Sequence, residues 1–252
     1  MKRRHWIFIL LLILLIPSEA TAQRWKLRRY EAYAGTGTVH PFMDIGRVED
    51  SFRSFHLKGT RPNLTVGARY KIFSNLSGGL ELSYIMFGGV DVDNHMTVHS
   101  FMTNSFEHTA DFQFDIVSGG KALGTTALFN RRGMVNSYNS TDVYITFGVG
   151  GILSKAIAYD INGEIDRNDV YFNNNTNYGI VLPVGLGIKY SIDAYWSFGA
   201  EITGRFSFTD LLDGYATPYS NYQDRYILTS FRAVYKIRND RKGRPIFSKY
   251  GR

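Results

Sequence analysis

Residues 179–208 read GIVLPVGLGIKYSIDAYWSFGAEITGRFSF, and the order of apolar and polar side chains in this stretch decides the fold. Ile180, Leu182, Val184, Leu186, Ile188 and Tyr190 alternate with Pro183, Gly185, Gly187, Lys189 and Ser191. Beyond Asp193-Ala194-Tyr195, the residues Trp196, Phe198, Ala200, Ile202, Phe206 and Phe208 alternate with Ser197, Gly199, Glu201, Thr203, Arg205 and Ser207. A period of two belongs to strands and not to helices. One face is aliphatic with aromatics near its ends. The other mixes glycine with full charges, which a dry core does not accept unpaired. Lipid on one side and a tight polar lumen on the other is the dyad pattern of a transmembrane β-barrel.

The same template, carried outward, predicts eight strands at about 30–40, 61–73, 76–88, 105–116, 142–160, 178–192, 195–208 and 225–237. Most exceed the roughly 9 to 11 residues that cross a bilayer at a tilt. The connections alternate in length: 73–76 and 193–196 are tight, whereas 41–60, 89–104, 161–177 and 209–224 are long and polar. Short periplasmic turns and long external loops are the rhythm of outer-membrane barrels. The connection 117–141 breaks it, being long where a turn is expected, and residues 122–130 within it read either as a brief helix or as part of an extended hairpin. The expected class is thus all-β, an eight-stranded antiparallel barrel of the outer-membrane type.

Alternation also predicts the lumen. With Leu64, Val66, Ala68, Tyr70 and Ile72 toward lipid, Thr65, Gly67, Arg69 and Lys71 face inward; Glu107, Thr109, Asp111 and Gln113 do so on the fourth strand. The inward charges form a candidate network of Glu31, Arg69, Glu81, Glu107, Lys189, Glu201, Arg205 and Arg232. An eight-stranded barrel is only wide enough for side chains to fill, so a salt-bridged plug without an open pore is expected.

The amino terminus reads as a secretory leader over residues 1–22. Lys2, Arg3 and Arg4 precede the apolar run Trp6 to Ile16, and Ala20-Thr21-Ala22 supplies a small-x-small cleavage site. Its run is shorter than the roughly 20 residues of a membrane helix. The chain holds no cysteine, which removes disulfides and thiolate metal sites. The net charge is +7, with Arg24, Lys26, Arg28 and Arg29 before the first strand and six basic residues against Asp240 in the tail 238–252. Basicity therefore belongs to the two ends of the mature chain, the barrel itself being 23–237. Nucleic acid is not an expected partner, because an exported chain has little access to it and no recognition motif is present.

No catalytic, cofactor or metal constellation stands out, and no small-molecule substrate is indicated. His95 and His99 beside Asp91 and Asp93 lie in a glycine-flanked loop rather than on one helix face. Asp91-Val92-Asp93-Asn94 is not a calcium loop, since Met96 and Met102 stand where glycine and an acid are needed. His40 and His108 with Ser100 or Ser105 suggest a rim hydrolase only weakly in pattern, with no nucleophile elbow. Gly148-Val149-Gly150-Gly151 lacks the lysine and helix start of a phosphate loop and reads as relief of crowding. The tail is the one segment that reads either as an interaction surface or as a merely disordered, solvated end: Arg238, Arg241, Lys242, Arg244 and Lys249, interspersed with Ile246, Phe247 and Tyr250, would suit an acidic protein groove or anionic head groups.

Several stretches carry a resemblance: Arg61-Pro62-Asn63-Leu64-Thr65-Val66-Gly67-Ala68-Arg69-Tyr70-Lys71-Ile72, the Val184 to Tyr190 run, Phe208-Thr209-Asp210-Leu211-Leu212-Asp213, and Val234-Tyr235-Lys236-Ile237. Together they resemble the small outer-membrane barrels of Bacteroidota that include PorG and PorT of the type IX secretion system. The resemblance implies a non-enzymatic accessory component, embedded in outer-membrane lipid, that contacts the periplasmic ring of the secretion machine. It places the docking surface on Arg24 to Arg29 and on the tail residues Arg238, Arg241, Lys242, Arg244, Phe247 and Lys249. Other classes fit the pattern too: a surface barrel binding a ligand or host surface through its long loops, a lipocalin-like carrier with its apolar face inward, and a lipid-modifying enzyme.

Overall fold

A computed structural model describes residues 28–42, 60–90, 100–118, 129–130, 133–134, 140–159, 165, 175–193, 195–209, 211–212, 214, 224–240 and 243–246. The leader read at 1–22, Arg24 and Lys26, and the loop residues Asp91, Asp93, His95 and His99 lie outside them.

The strands are β1 (Tyr30–Phe42), β2 (Arg61–Lys71), β3 (Leu76–Val90), β4 (Ser100–Ser118), β5 (Phe129–Asn130), β6 (Gly133–Met134), β7 (Ser140–Tyr159), β8 (Thr176–Ser191), β9 (Trp196–Ser207) and β10 (Arg225–Ile237). The eight long ones close into an antiparallel barrel in the order β1-β10-β9-β8-β7-β4-β3-β2. Closure is made by β1 and β10, in register from Tyr30 opposite Ile237 to Phe42 opposite Arg225. One end of the barrel holds the tight turns, the long connection between β4 and β7 and both ends of the barrel strands' chain; the other holds the remaining long connections.

Several boundaries differ from the sequence reading. The second strand ends at Lys71, because Ile72 and Phe73 enter a tight turn in which both amides donate to the Leu76 carbonyl, at 2.9 and 3.0 Å. The third and fourth strands run on to Val90 opposite Ser100. Their inward alternation continues there through Phe101 and Thr103, but the outward side chains Ser100 and Asn104 are polar, so the lipid signal fades before the ladder does. In the long fourth connection, β4 and β7 stay paired to Ser118 opposite Asp142, with a bulge between Asp115 and Val117. Within that connection β5 and β6 form a two-stranded sheet; residues 122–128, the rest of the helical alternative, lie outside the described residues.

The outward face is apolar. Leu80, Phe231 and Leu186 are 68%, 66% and 60% exposed, and Leu64, Val66, Leu82, Val149, Val184, Ile188 and Ile202 share that face. Tyr70, Phe73, Tyr190, Trp196, Phe198 and Tyr235 ring the turn end; Phe42, Tyr84, Phe106, Tyr178 and Phe208 ring the loop end. An apolar band between two aromatic girdles is the exterior of a transmembrane barrel, and no aqueous surface of this size would leave so much apolar area uncovered. A lipocalin-like carrier is thereby corrected: its apolar face would be the inner one.

Candidate functional site

Three arginines and their carboxylates bridge the middle of the lumen. Arg205 on β9 reaches Glu81 at 3.0 Å and Glu107 at 3.1 Å. Arg232 on β10 lies between Glu81 at 2.8 Å and Glu201 at 2.7 Å. Arg69 on β2 holds Asp111 at 2.7 Å through Nη2, donates to Gln113 Oε1 at 2.7 Å, and stands 3.9 Å from Glu201. All of these charged groups are buried. Because β9 and β3 are diametrically opposite in the strand order, the Arg205–Glu81 pair crosses the full width of the lumen. Buried charges of this kind are tolerable only when paired and hydrogen-bonded.

Tyrosines complete the set and were not part of the sequence reading. Tyr33 donates to Glu81 at 3.0 Å, Tyr144 to Glu201 at 2.9 Å, and Tyr226 to Glu107. The guanidinium carbons of Arg69 and Arg232 lie 4.6 and 5.1 Å from the centre of the Tyr33 ring. Glycines make room: Arg69 is opposite Gly79, Glu81 opposite Gly67, Glu201 opposite Gly187, and Arg232 opposite both Gly35 and Gly199. A Cβ on Gly35 would meet Arg232 Cγ at 2.9 Å.

Toward the turn end a second tier appears. Lys189 lies 3.4 Å from Glu31, Lys71 lies 3.4 Å from Asp115, and Lys236 donates to Ser191 Oγ at 2.8 Å. Toward the loop end the lumen turns apolar, with Val39, Ile85, Phe87, Phe101, Ile152, Val181, Tyr226 and Leu228 buried together. Leu212, from the connection after β9, joins this cluster, its amide held by Asp224 Oδ2 at 2.8 Å. The charged lumen expected throughout is therefore confined to the middle and the turn end.

The tail residues of the sequence reading divide. Arg238 and Arg244 are exposed; Arg241, Lys242, Phe247 and Lys249 lie outside the described residues. The backbone turns back directly after β10, with the Ile246 amide donating to Arg238 O at 2.8 Å and Asp240 bridging to Arg244 at 2.9 Å. Gly243, at φ 81°, lies in the left-handed region, which glycine adopts without a Cβ penalty. At the neighbouring tight turn Asp193 Oδ1 accepts the amides of Tyr195 and Trp196, both at 2.6 Å. The Trp196 and Tyr195 amides hold its carboxyl below the ordinary aspartate range.

The histidine and serine candidates are not assembled. His108 faces outward and stacks on Tyr178 at 6.2 Å, while Ser105 is buried in the lumen on the opposite face of β4. His40 sits on β1, which does not adjoin β4, and meets Thr60 at 2.9 Å. Among the described residues no group of three or more His, Cys, Asp or Glu is placed to hold a metal ion.

No family model and no curated protein matches the sequence. Among solved structures the chain is similar to Neisserial surface protein A, with 11% identity over 82% of this chain and 96% of that one and a TM-score of 0.41. The N-terminal β-barrel domain of Pseudomonas aeruginosa OprF gives 8% identity over 83% and 98%, with a TM-score of 0.44. Ail, the attachment invasion locus protein of Yersinia pestis, gives 11% over 83% and 97%, with a TM-score of 0.39.

Proposed function

We propose that this barrel is a non-enzymatic anchor in the outer membrane that docks periplasmic ring proteins of a type IX secretion assembly at its turn end. The observation that carries the reading is the turned tail: residues 238–240 and 243–246 fold back on each other at the barrel end where β1 begins and β10 stops, with Arg238 and Arg244 exposed there. A lumen bridged from wall to wall by Arg205 and Glu81 supports an anchoring role over a conducting one. Cationic, turned segments suit an acidic groove on a partner. The test is co-purification with the ring proteins from membranes carrying the full chain and a variant lacking residues 238–252. Loss of the ring proteins supports docking, and their full retention refutes it. Replacing residues 91–99 and 160–174 by short turns gives the contrasting outcome for a loop-binding surface barrel: binding is lost while secretion persists.

A further inference from the structure

The middle tier of the lumen does not balance in charge. Arg69, Arg205 and Arg232 face Glu81, Glu107, Asp111 and Glu201, all of them buried, which leaves an excess of one negative charge. The turn-end tier is neutral, with Lys71, Lys189 and Lys236 against Glu31, Asp115 and Asp142. Arg61, at the loop end, lies against Gly88 and among the described residues pairs with none of these carboxylates. An uncompensated charge in a site shut off from water is strongly disfavoured.

The oxygens show where the compensation belongs. Glu81 and Glu201 each pair with Arg232 and accept from a tyrosine, and Glu107 pairs with Arg205 and accepts from Tyr226. Asp111 differs: its Oδ2 takes both contacts from Arg69, at 3.0 and 2.7 Å, while its Oδ1 has no hydrogen-bond partner. Thr109 Oγ1, on the neighbouring inward residue of β4, is buried without one as well. Successive inward residues of a strand stand about 7 Å apart, so one ion can touch an oxygen of each. On the rung of Asp111 lies Gly148, and the β7–β8 ladder beside it passes from Phe147–Val184 to Gly150–Val181 with no pair between. Pro183, at that gap, has no amide; its pairing with β9 is intact, so the missing donor faces β7 and the Gly148 carbonyl goes without it. Gly148 also has no side chain to cover that carbonyl from the lumen.

We infer that the lumen binds one monovalent cation, of the sodium or potassium class, between Asp111 Oδ1 and Thr109 Oγ1, with the Gly148 carbonyl as a further oxygen on the same rung. A single carboxylate in the set suits a singly charged ion, which cancels the excess of the tier. An anion at the unpartnered Arg205 Nε or Arg232 Nη1 would deepen that excess. A proton on Glu107 would cancel it but leave Asp111 Oδ1 and Thr109 Oγ1 without partners. The ion is enclosed as the barrel closes and released when it unfolds. The inference rests on the closed lumen and not on the secretion role.

The test is urea unfolding of the full mature barrel in zwitterionic micelles, at fixed pH and fixed chloride, with sodium or potassium replaced stepwise by choline. A cation held only by the folded barrel lowers the unfolding constant about tenfold for each tenfold rise in its concentration above the dissociation constant. The expected result is that response to sodium or to potassium, and its loss in Asp111→Asn, which removes the excess charge, and in Thr109→Val. Deletion of residues 238–252 leaves the response unchanged, which separates this site from the docking reading. Heat-modifiable migration checks that each variant is folded. An unfolding constant that does not distinguish sodium and potassium from choline, as neutralisation by a proton would give, or a full response retained in Asp111→Asn, overturns the proposal.

Discussion

Tyr33 lies across Gly67: the two are opposite in the β1–β2 ladder, and the tyrosine ring occupies the space a Cβ on Gly67 would need. From that position its hydroxyl reaches Glu81 at 3.0 Å, and Arg69 and Arg232 both approach its ring. The same device recurs where Tyr144 lies across Gly187 and donates to Glu201. Gly67→Ala is expected to destabilise the barrel by about 1–3 kcal/mol through overpacking, measured as a lower urea midpoint in detergent micelles. Tyr33→Phe keeps the ring and loses about 1–2 kcal/mol through the hydrogen bond to a charged group. A midpoint unchanged in Gly67→Ala contradicts the arrangement.

Arg232 serves two carboxylates at once. Arg232→Met leaves Glu81 and Glu201 each short of a partner in a buried site, at a cost of about 3–5 kcal/mol. The readout is the temperature at which the folded band disappears in heat-modifiable migration, and a variant as resistant as the native chain excludes a structural role for the bridge.

Leu212 closes the apolar end of the lumen. Leu212→Ala is expected to cost about 2–4 kcal/mol locally, and Asp224→Ala releases the same segment by removing the acceptor of its amide. Both variants should be cut faster by protease between residues 208 and 224 while the strands stay protected; unchanged cleavage kinetics would argue against Leu212 as a stopper.

Leu186 is 60% exposed on the outer wall and lies well inside β8. Leu186→Arg should cost about 2–4 kcal/mol in a bilayer, whereas Lys155→Leu, near the loop-side edge, should cost little. Folding yield into lipid vesicles distinguishes them, and equal yields would mean that the wall does not face lipid.

Asp193 gives the turn a pH dependence. Its carboxyl titrates below the ordinary range because the Trp196 and Tyr195 amides favour the charged form. The contribution is therefore present above the unfolded value, about 3.9, and is lost as pH falls through the lower folded value. Asp193→Asn should flatten this acid limb of the stability profile, which urea midpoints between pH 2 and 6 would show.

The barrel was legible because period-two alternation depends only on neighbours in sequence: 180–190 and 196–208 display it without any knowledge of what they pair with. The charged positions of the lumen followed from the same rule. Their partners did not, because Arg205 finds Glu81 across the barrel and the pairing depends on strand order and stagger. Tyr33, Tyr144 and Tyr226 carry an ambiguous signal in the sequence, since tyrosine fits a lipid-facing girdle as well as a polar lumen. The apolar loop end did leave a trace, the unbroken run Tyr84-Ile85-Met86-Phe87, in which both faces turn apolar where the strand leaves the charged tier. The turned tail was hidden among its charges, although Asp240 and Gly243 at that spacing suit a tight turn.

The confinement of every strand carboxylate to one face bears on how the barrel assembles. A slip of one residue in the register of any acid-bearing strand exchanges its faces, so Glu107, Asp111 and Asp115 would enter lipid together and the outward Phe106, Phe112 and Phe114 would crowd the interior. Misthreaded barrels are thus rejected by the bilayer itself, strand by strand, and the charge pattern that seals the lumen also proofreads its insertion.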